Sequence, residues 1–237
     1  MNQASFFIDK KALFGGYPNH KQITELKEEG VVWFVDLTTT NEHNITAYSH
    51  LVNNWLNYPI KDRHIPENKK NFTIFLIMIQ MIVESLKPGE KMYLHCRGGH
   101  GRSSLVVSCF FSLFLKMNPI DSLNLAKECH SLRPNLNPRW LLRWPLNLKQ
   151  RKFVESFYGN IYLYSNFQNK YEITTKSEFF RSMIFLNFYL HQHPIMLDVL
   201  LNSGLKTIKG EGITSLLLQE LRWYILYSKA KKIFEFN

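Results

Sequence analysis

Cysteine is scarce in this chain: there are three in 237 residues, Cys96, Cys109 and Cys129. No two of them form a Cys-x-x-Cys pair, which argues against a disulfide framework or a thiolate metal site and favours a reducing compartment. Long apolar runs are missing too. Phe72 to Leu86 and Leu105 to Leu115 fall short of the ~20 residues that span a bilayer, and the first contains Gln80 and Glu84. The beginning, MNQASFFIDKKALF, has no basic stretch followed by a continuous apolar one, so no secretory signal is expected. Together these absences predict a cytoplasmic protein without a transmembrane segment. Acidic residues are also few, 19 Asp and Glu against 29 Lys and Arg, an excess of ten positive charges. That excess favours anionic partners, whether phosphorylated protein, anionic lipid or RNA, and does not choose among them. Hydrophobic residues make up 45%, enough for a sizeable core in one large domain or two modest ones.

What is present is concentrated in residues 91 to 104, KMYLHCRGGHGRSS. Met92, Tyr93 and Leu94 read as a strand that delivers His95 and Cys96 into a loop with three glycines. From Arg102 the chain turns apolar and helical. A glycine loop between a strand and a helix N-terminus can turn its N–H groups inward and seat a phosphate dianion, with Arg97, Gly98, Gly99, His100 and Gly101 as its backbone. The same field stabilises a thiolate, making Cys96 a competent nucleophile near neutral pH. Arg102 can grip two phosphate oxygens with its planar guanidinium. Ser103 is placed to donate a hydrogen bond to the sulfur, and His95 to orient the loop from behind. No metal or cofactor is implied.

HCRGGHGRS matches, position by position, the His-Cys-x-x-Gly-x-Gly-Arg-Ser/Thr pattern of the cysteine-dependent protein tyrosine and dual-specificity phosphatases, and the chain resembles that family up to about residue 157. The resemblance implies an α/β fold with a central, mostly parallel sheet flanked by helices. It also implies hydrolysis of phosphomonoesters, phosphotyrosine and phosphoserine or phosphothreonine of proteins, through a cysteinyl-phosphate. An RNA 5′-triphosphatase or a phosphoinositide phosphatase would use the same loop, and a non-catalytic phosphate-binding scaffold is a further alternative. Basic residues at Arg97 and His100 resemble those with which lipid-directed relatives read an inositol head group.

Along the chain, residues 4 to 16 suggest one or two short strands before Tyr17-Pro18, and His20 to Glu29 a helix stopped by Gly30. Val31 to Leu37 is the continuous run of a strand buried on both faces. Thr46 to Trp55 reads as another short helix. Residues 58 to 66, YPIKDRHIP, read as a strand leading into a mobile loop. Departure of an alkoxide needs an acid, and Asp62 is the candidate, 96 − 62 = 34 residues before the cysteine, a separation similar to that in dual-specificity phosphatases. His64 and Asp36 are weaker alternatives. Asn68 to Leu86, Arg102 to Lys116 and Pro119 to His130 read as helices. Residues 143 to 157 resemble the family's closing helix, with Gln150 and Phe153 in pattern. Leu146 stands where the larger tyrosine phosphatases carry a water-positioning glutamine.

Residues 158 to 237 are expected to form a smaller, mainly helical accessory domain. FYGNIYLYSNF, TKSEFF, LLNSGLKTIKGEG and SLLLQELR follow one another in an order that resembles NADAR domains of the N-glycosidase type, which would give Glu178 the place of their key glutamate. Phe179 stands where a histidine is usual and Lys209 where a tryptophan is, which favours a packing or partner-binding remnant over a second active site.

Overall fold

Alternation along the strands builds two cores on the two faces of one sheet. Ala12, Phe14, Val35, Met92 and Leu94 belong to one buried cluster, and their chain neighbours Leu13, Phe34 and Tyr93 to another. Successive side chains of a strand point to opposite faces, so strands apolar at nearly every position demand cover on both. The structure, a computed structural model, describes residues 3–40, 42–43 and 45–158. Its strands are β1 (Ala4–Ile8), β2 (Ala12–Gly15), β3 (Val31–Asp36), β4 (Trp55–Asn57) and β5 (Lys91–His95), in the spatial order β1-β2-β5-β3-β4. β1 and β2 form an antiparallel hairpin, and the other neighbours run parallel. The fold is therefore mixed α/β with a mostly parallel sheet.

The helices are α1 (His20–Glu28), α2 (Lys69–Ser85), α3 (Gly101–Phe114), α4 (Pro119–Ser131), α5 (Arg139–Leu142) and α6 (Leu148–Tyr158). α1 supplies Ile23 and Leu26 to the smaller core, while the larger core takes its helical residues from α2, α3, α4 and α6. α3 is buried almost all round, as its unbroken apolar run requires. Helix starts carry local signals: Asn19, Asn68 and Asn118 each accept a hydrogen bond from the amide three residues on, and Pro119 occupies the first turn of α4. Among the described residues no helix is long and apolar enough to cross a membrane.

Two expectations change. Thr46 to Trp55 is not a helix but a 3-10 turn, Ser49–Leu51, followed by β4 from Trp55. Tyr48 and Val52, four apart and both buried, mimic a helical period. The backbone between them and β4 is instead captured by β3, with Phe34 N donating to Asn54 O at 3.0 Å and Asn54 Nδ2 to Val32 O at 2.8 Å. The strand expected within 58–66 lies just before it, at Trp55–Asn57, and 58–66 is loop. The short α5 has no counterpart in the sequence reading. The accessory domain and Glu178 lie outside the described residues.

Parallel register brings the ends of three strands level: Gly15 of β2 pairs with His95 of β5, which pairs with Asp36 of β3. Everything that follows sits just beyond this edge. On the helical side, Phe72 of α2 is fully buried with its ring 5.6 Å from those of Phe153 and Phe157 of α6. Replacing Phe72 by Ala should cost about 3–5 kcal/mol in urea unfolding, the usual range for a buried aromatic; a loss below about 1 kcal/mol would show that α6 does not rely on this packing.

Candidate active site

The loop after β5 is shaped by a backbone contact. Gly99 has φ +72°, and a Cβ there would lie 2.5 Å from Gly15 C and Gly16 N, so only glycine lets the loop lie against the end of β2. Tyr17 N donates to Arg97 O at 3.0 Å, and Tyr93 OH donates to Gly16 O at 2.7 Å, holding that wall in place. Among the described residues, the amides from Arg97 to Gly101 have no backbone acceptor. They lead directly into the first turn of α3, where orphan N–H groups and the helix dipole both favour an anion.

Cys96 is 3% exposed at the base of the loop, its Sγ 3.3 Å from Ser103 Oγ. Arg102, on α3, is almost wholly buried beside it. Its NH1 donates to Ile60 O at 2.9 Å and also pairs with Glu42 Oε1, while NH2 donates to Glu42 Oε2 at 2.9 Å. Asp62 Oδ1 lies 3.2 Å from the same NH2. No partner among the described residues occupies Nε. Burial alone would lower the Arg102 pKa, but Glu42 and the nearby Cys96 sulfur outweigh it and raise it. Glu42 answers in kind: burial pushes its carboxyl up, and the bonds from Arg102 and the Thr39 amide bring it below its ordinary value. Glu42 was not singled out in the sequence. It is 60 residues from Arg102 in a polar loop, and its one signal is an acid shortly after a buried strand.

Asp62 sits on an exposed turn, its side chain 57% accessible, with the cleft beside it. The turn is anchored at its far side: Asn147 Nδ2 donates to Arg63 O at 2.9 Å and Gln150 Nε2 to His64 O at 3.1 Å. Gln150 thus fastens the acid-bearing loop to α6. Of the weaker candidates, His64 bonds through Nδ1 with Asp62 O at 2.7 Å, and Asp36 is buried with its Oδ1 accepting from Thr38 N and Oγ1 at 2.8 and 2.7 Å. Asp36 lies behind the loop, 3.8 Å from His95 Nδ1. His95 is fully buried, its Nε2 bonded to Tyr48 OH, and desolvation lowers its pKa despite Asp36.

His100 does not supply the second positive charge expected of it. Its ring stacks on Trp140 at 4.1 Å and its Nδ1 meets His130 Nε2 at 2.8 Å. Burial, then Arg133 and Arg139, bring its pKa down to about 4, so it is neutral at neutral pH. Positive charge at the mouth comes instead from Arg63, Arg97 and Arg139, which line a cleft of about 720 Å³ with Trp140 and Trp144. Leu146 is buried and contributes only an apolar surface to the cleft. Among the described residues no group of three or more His, Cys, Asp or Glu could hold a metal.

A cysteine sulfur, an arginine fork and an exposed carboxylate around one glycine loop is an arrangement suited to phosphoryl transfer. Comparison with known proteins agrees. Residues 5–144 match the model of the Swiss Army Knife protein, DSP-PTPase phosphatase domain. Protein 067L of Invertebrate iridescent virus 3, which carries the name of a tyrosine phosphatase, is 54% identical over 235 residues, 98% of each chain. The phosphatidylglycerophosphate phosphatase PTPMT2 of Arabidopsis thaliana is 28% identical over 152 residues, 63% of this chain and 60% of that protein. Among solved structures, PTPMT1 in complex with PI(5)P superposes with a TM-score of 0.51 at 14% identity, covering 67% of this chain and 96% of that one, a likeness of fold. The chain belongs to the DSP-PTPase family and is a phosphatase of the tyrosine and dual-specificity type.

Proposed function

We propose that the protein hydrolyses phosphomonoesters of phosphorylated proteins through a covalent cysteinyl-phosphate on Cys96. The observation that carries this is the convergence of Cys96, Arg102 and Asp62 on one cleft, with an anion seat of unpaired amides between them. The Cys96 thiolate attacks phosphorus. The S–P bond forms as the P–O bond to the leaving group breaks. Arg102, through Nε and the NH2 edge, and the loop amides hold the equatorial oxygens. An incoming phosphate displaces Asp62 from NH2, freeing its carboxyl to protonate the departing oxygen. Water then attacks phosphorus with Asp62 taking its proton, and Ser103 donates to the leaving sulfur. Glu42 positions Arg102 throughout by occupying the opposite edge of the fork. The 54% identity to 067L and the family match support the phosphoprotein reading, and the free state of Cys96, Cys109 and Cys129 supports a reducing, intracellular location.

For residues 158–237 we infer an accessory domain that packs or binds a partner. Support comes from 067L, whose similarity extends over 98% of both chains and so includes this part. The NADAR-like assignment of Glu178 would be supported by release of a base from ribose-linked substrates, lost in Glu178→Ala.

Cys96→Ser should abolish turnover of aryl phosphates and phosphopeptides while inorganic phosphate still binds; retained turnover would sink the thiolate mechanism. Asp62→Ala should slow esters with poor leaving groups by about 10²–10⁴-fold and good ones far less, whereas an equal loss on both would place the acid elsewhere. Glu42→Gln should lower kcat/KM by about 10- to 100-fold, as removal of a supporting partner does, with the leaving-group dependence unchanged. A steeper dependence in that variant would mean that Glu42 takes part in proton transfer instead.

A further inference from the structure

The rim of the cleft carries a chemistry that hydrolysis does not use. Between Glu128 and Glu155 the chain has no acidic residue and six Lys or Arg. This stretch forms one wall of the cleft through Arg139, Trp140 and Trp144. Three leucines of the same stretch stand in solvent, Leu132 at 74%, Leu142 at 90% and Leu148 at 59% exposure. The last two each have an exposed cation as chain neighbour, Arg143 and Lys149. Across the mouth, Arg63 and Arg97 are exposed as well. Protruding aliphatic side chains, indoles near them in the chain and a positive field with a single carboxylate, that of Asp62, on the cleft are what a polar–apolar interface of negative charge selects.

We propose that this rim docks on an anionic lipid bilayer. Leu142 and Leu148 enter the interfacial layer, Arg143 and Lys149 meet the headgroups, and the mouth of the cleft faces phosphate esters held at the membrane surface. Single-stranded RNA, the other polyanion suited to a basic and aromatic rim, is served poorly. It needs open aromatic faces on which bases stack. Here the His100 ring already stacks on Trp140, and Lys127 Nζ and Arg151 Cζ lie 4.9 and 5.6 Å from the centre of the Trp144 ring. Exposed leucines gain nothing from a phosphate backbone. A peptide groove is served no better, because it would hold its apolar side chains in a concave wall, and Leu142 stands almost wholly clear of the surface.

Docking on a bilayer rests on the phosphatase reading only for its activity control. The test is sedimentation of the full chain with phosphatidylcholine vesicles that contain or lack phosphatidylserine, at low and high salt, beside hydrolysis of a soluble aryl phosphate. Wild type should bind the anionic vesicles about tenfold or more tightly than the neutral ones and release them in high salt. The pairs Leu142→Asp with Leu148→Asp, and Arg143→Glu with Lys149→Glu, should each weaken vesicle binding by about tenfold or more while aryl phosphate turnover stays within about twofold. Absence of wild-type binding, or binding that neither pair weakens, overturns the proposal. So does binding of single-stranded RNA that the charge pair abolishes, if vesicles are ignored. Failure of wild type to hydrolyse the aryl phosphate would instead overturn the phosphatase reading, and leave the vesicle result to be judged by itself.

Discussion

The active centre depends on the close approach of two backbones. Gly99 presses on Gly15 and Gly16, and that contact lets the loop after β5 curl tightly enough to leave its amides without backbone partners among the described residues. A loop with a left-handed turn and several amides turned to one side persists where the surrounding structure over-determines it. Here β2 supplies the wall, Tyr93 braces it through Gly16 O, and Tyr17 N ties it to Arg97 O. α3 continues the loop and brings its N-terminus to the same point. Donors placed this way, next to a helix N-terminus, suit a phosphate dianion.

Charge is arranged on the same logic. Arg102 is buried, and a lone buried guanidinium would be strongly disfavoured. Glu42 compensates it from one edge and Asp62 lies against the other, leaving Nε without a partner among the described residues. The two acids differ in what holds them. Glu42 is half enclosed and bonded to Arg102 and the Thr39 amide, whereas Asp62 rides an exposed turn, touching Arg102 at 3.2 Å, whose neighbours Arg63 and His64 are held through their carbonyls by Asn147 and Gln150. Behind the loop, His95 bonds to Tyr48 and lies near Asp36, and burial lowers the His95 pKa, so the imidazole itself brings orientation and no positive charge.

Much of this was legible in the sequence wherever the signal is local. Cys96 to Ser103 is one continuous stretch, so its spacing alone brings the nucleophile, the loop and Arg102 together. β3, α2 and α4 announce themselves by an apolar run, an asparagine cap or a proline in the first turn. The failures share a cause. β4 is three residues long and takes its identity from pairing with Phe34–Asp36, while Tyr48 and Val52 imitate a helix just upstream. Glu42 reaches Arg102 across 60 residues, and His100 loses its charge to burial against Trp140 and to Arg133 and Arg139, which only the fold brings near. Pairings of that range leave no periodic trace.

The central claim is that phosphorus passes through the sulfur of Cys96. Its most direct measurement is rapid acid quench of the Asp62→Ala protein during turnover of an aryl phosphate, followed by mass spectrometry of its peptides. In that variant the release of the phosphoryl group lacks its base, so the intermediate should accumulate. The account predicts one added phosphoryl group on the peptide containing Cys96, absent when Cys96 is also replaced by Ser. Turnover with no phosphorylated peptide at any quench time, or a phosphoryl group on another residue, would contradict it.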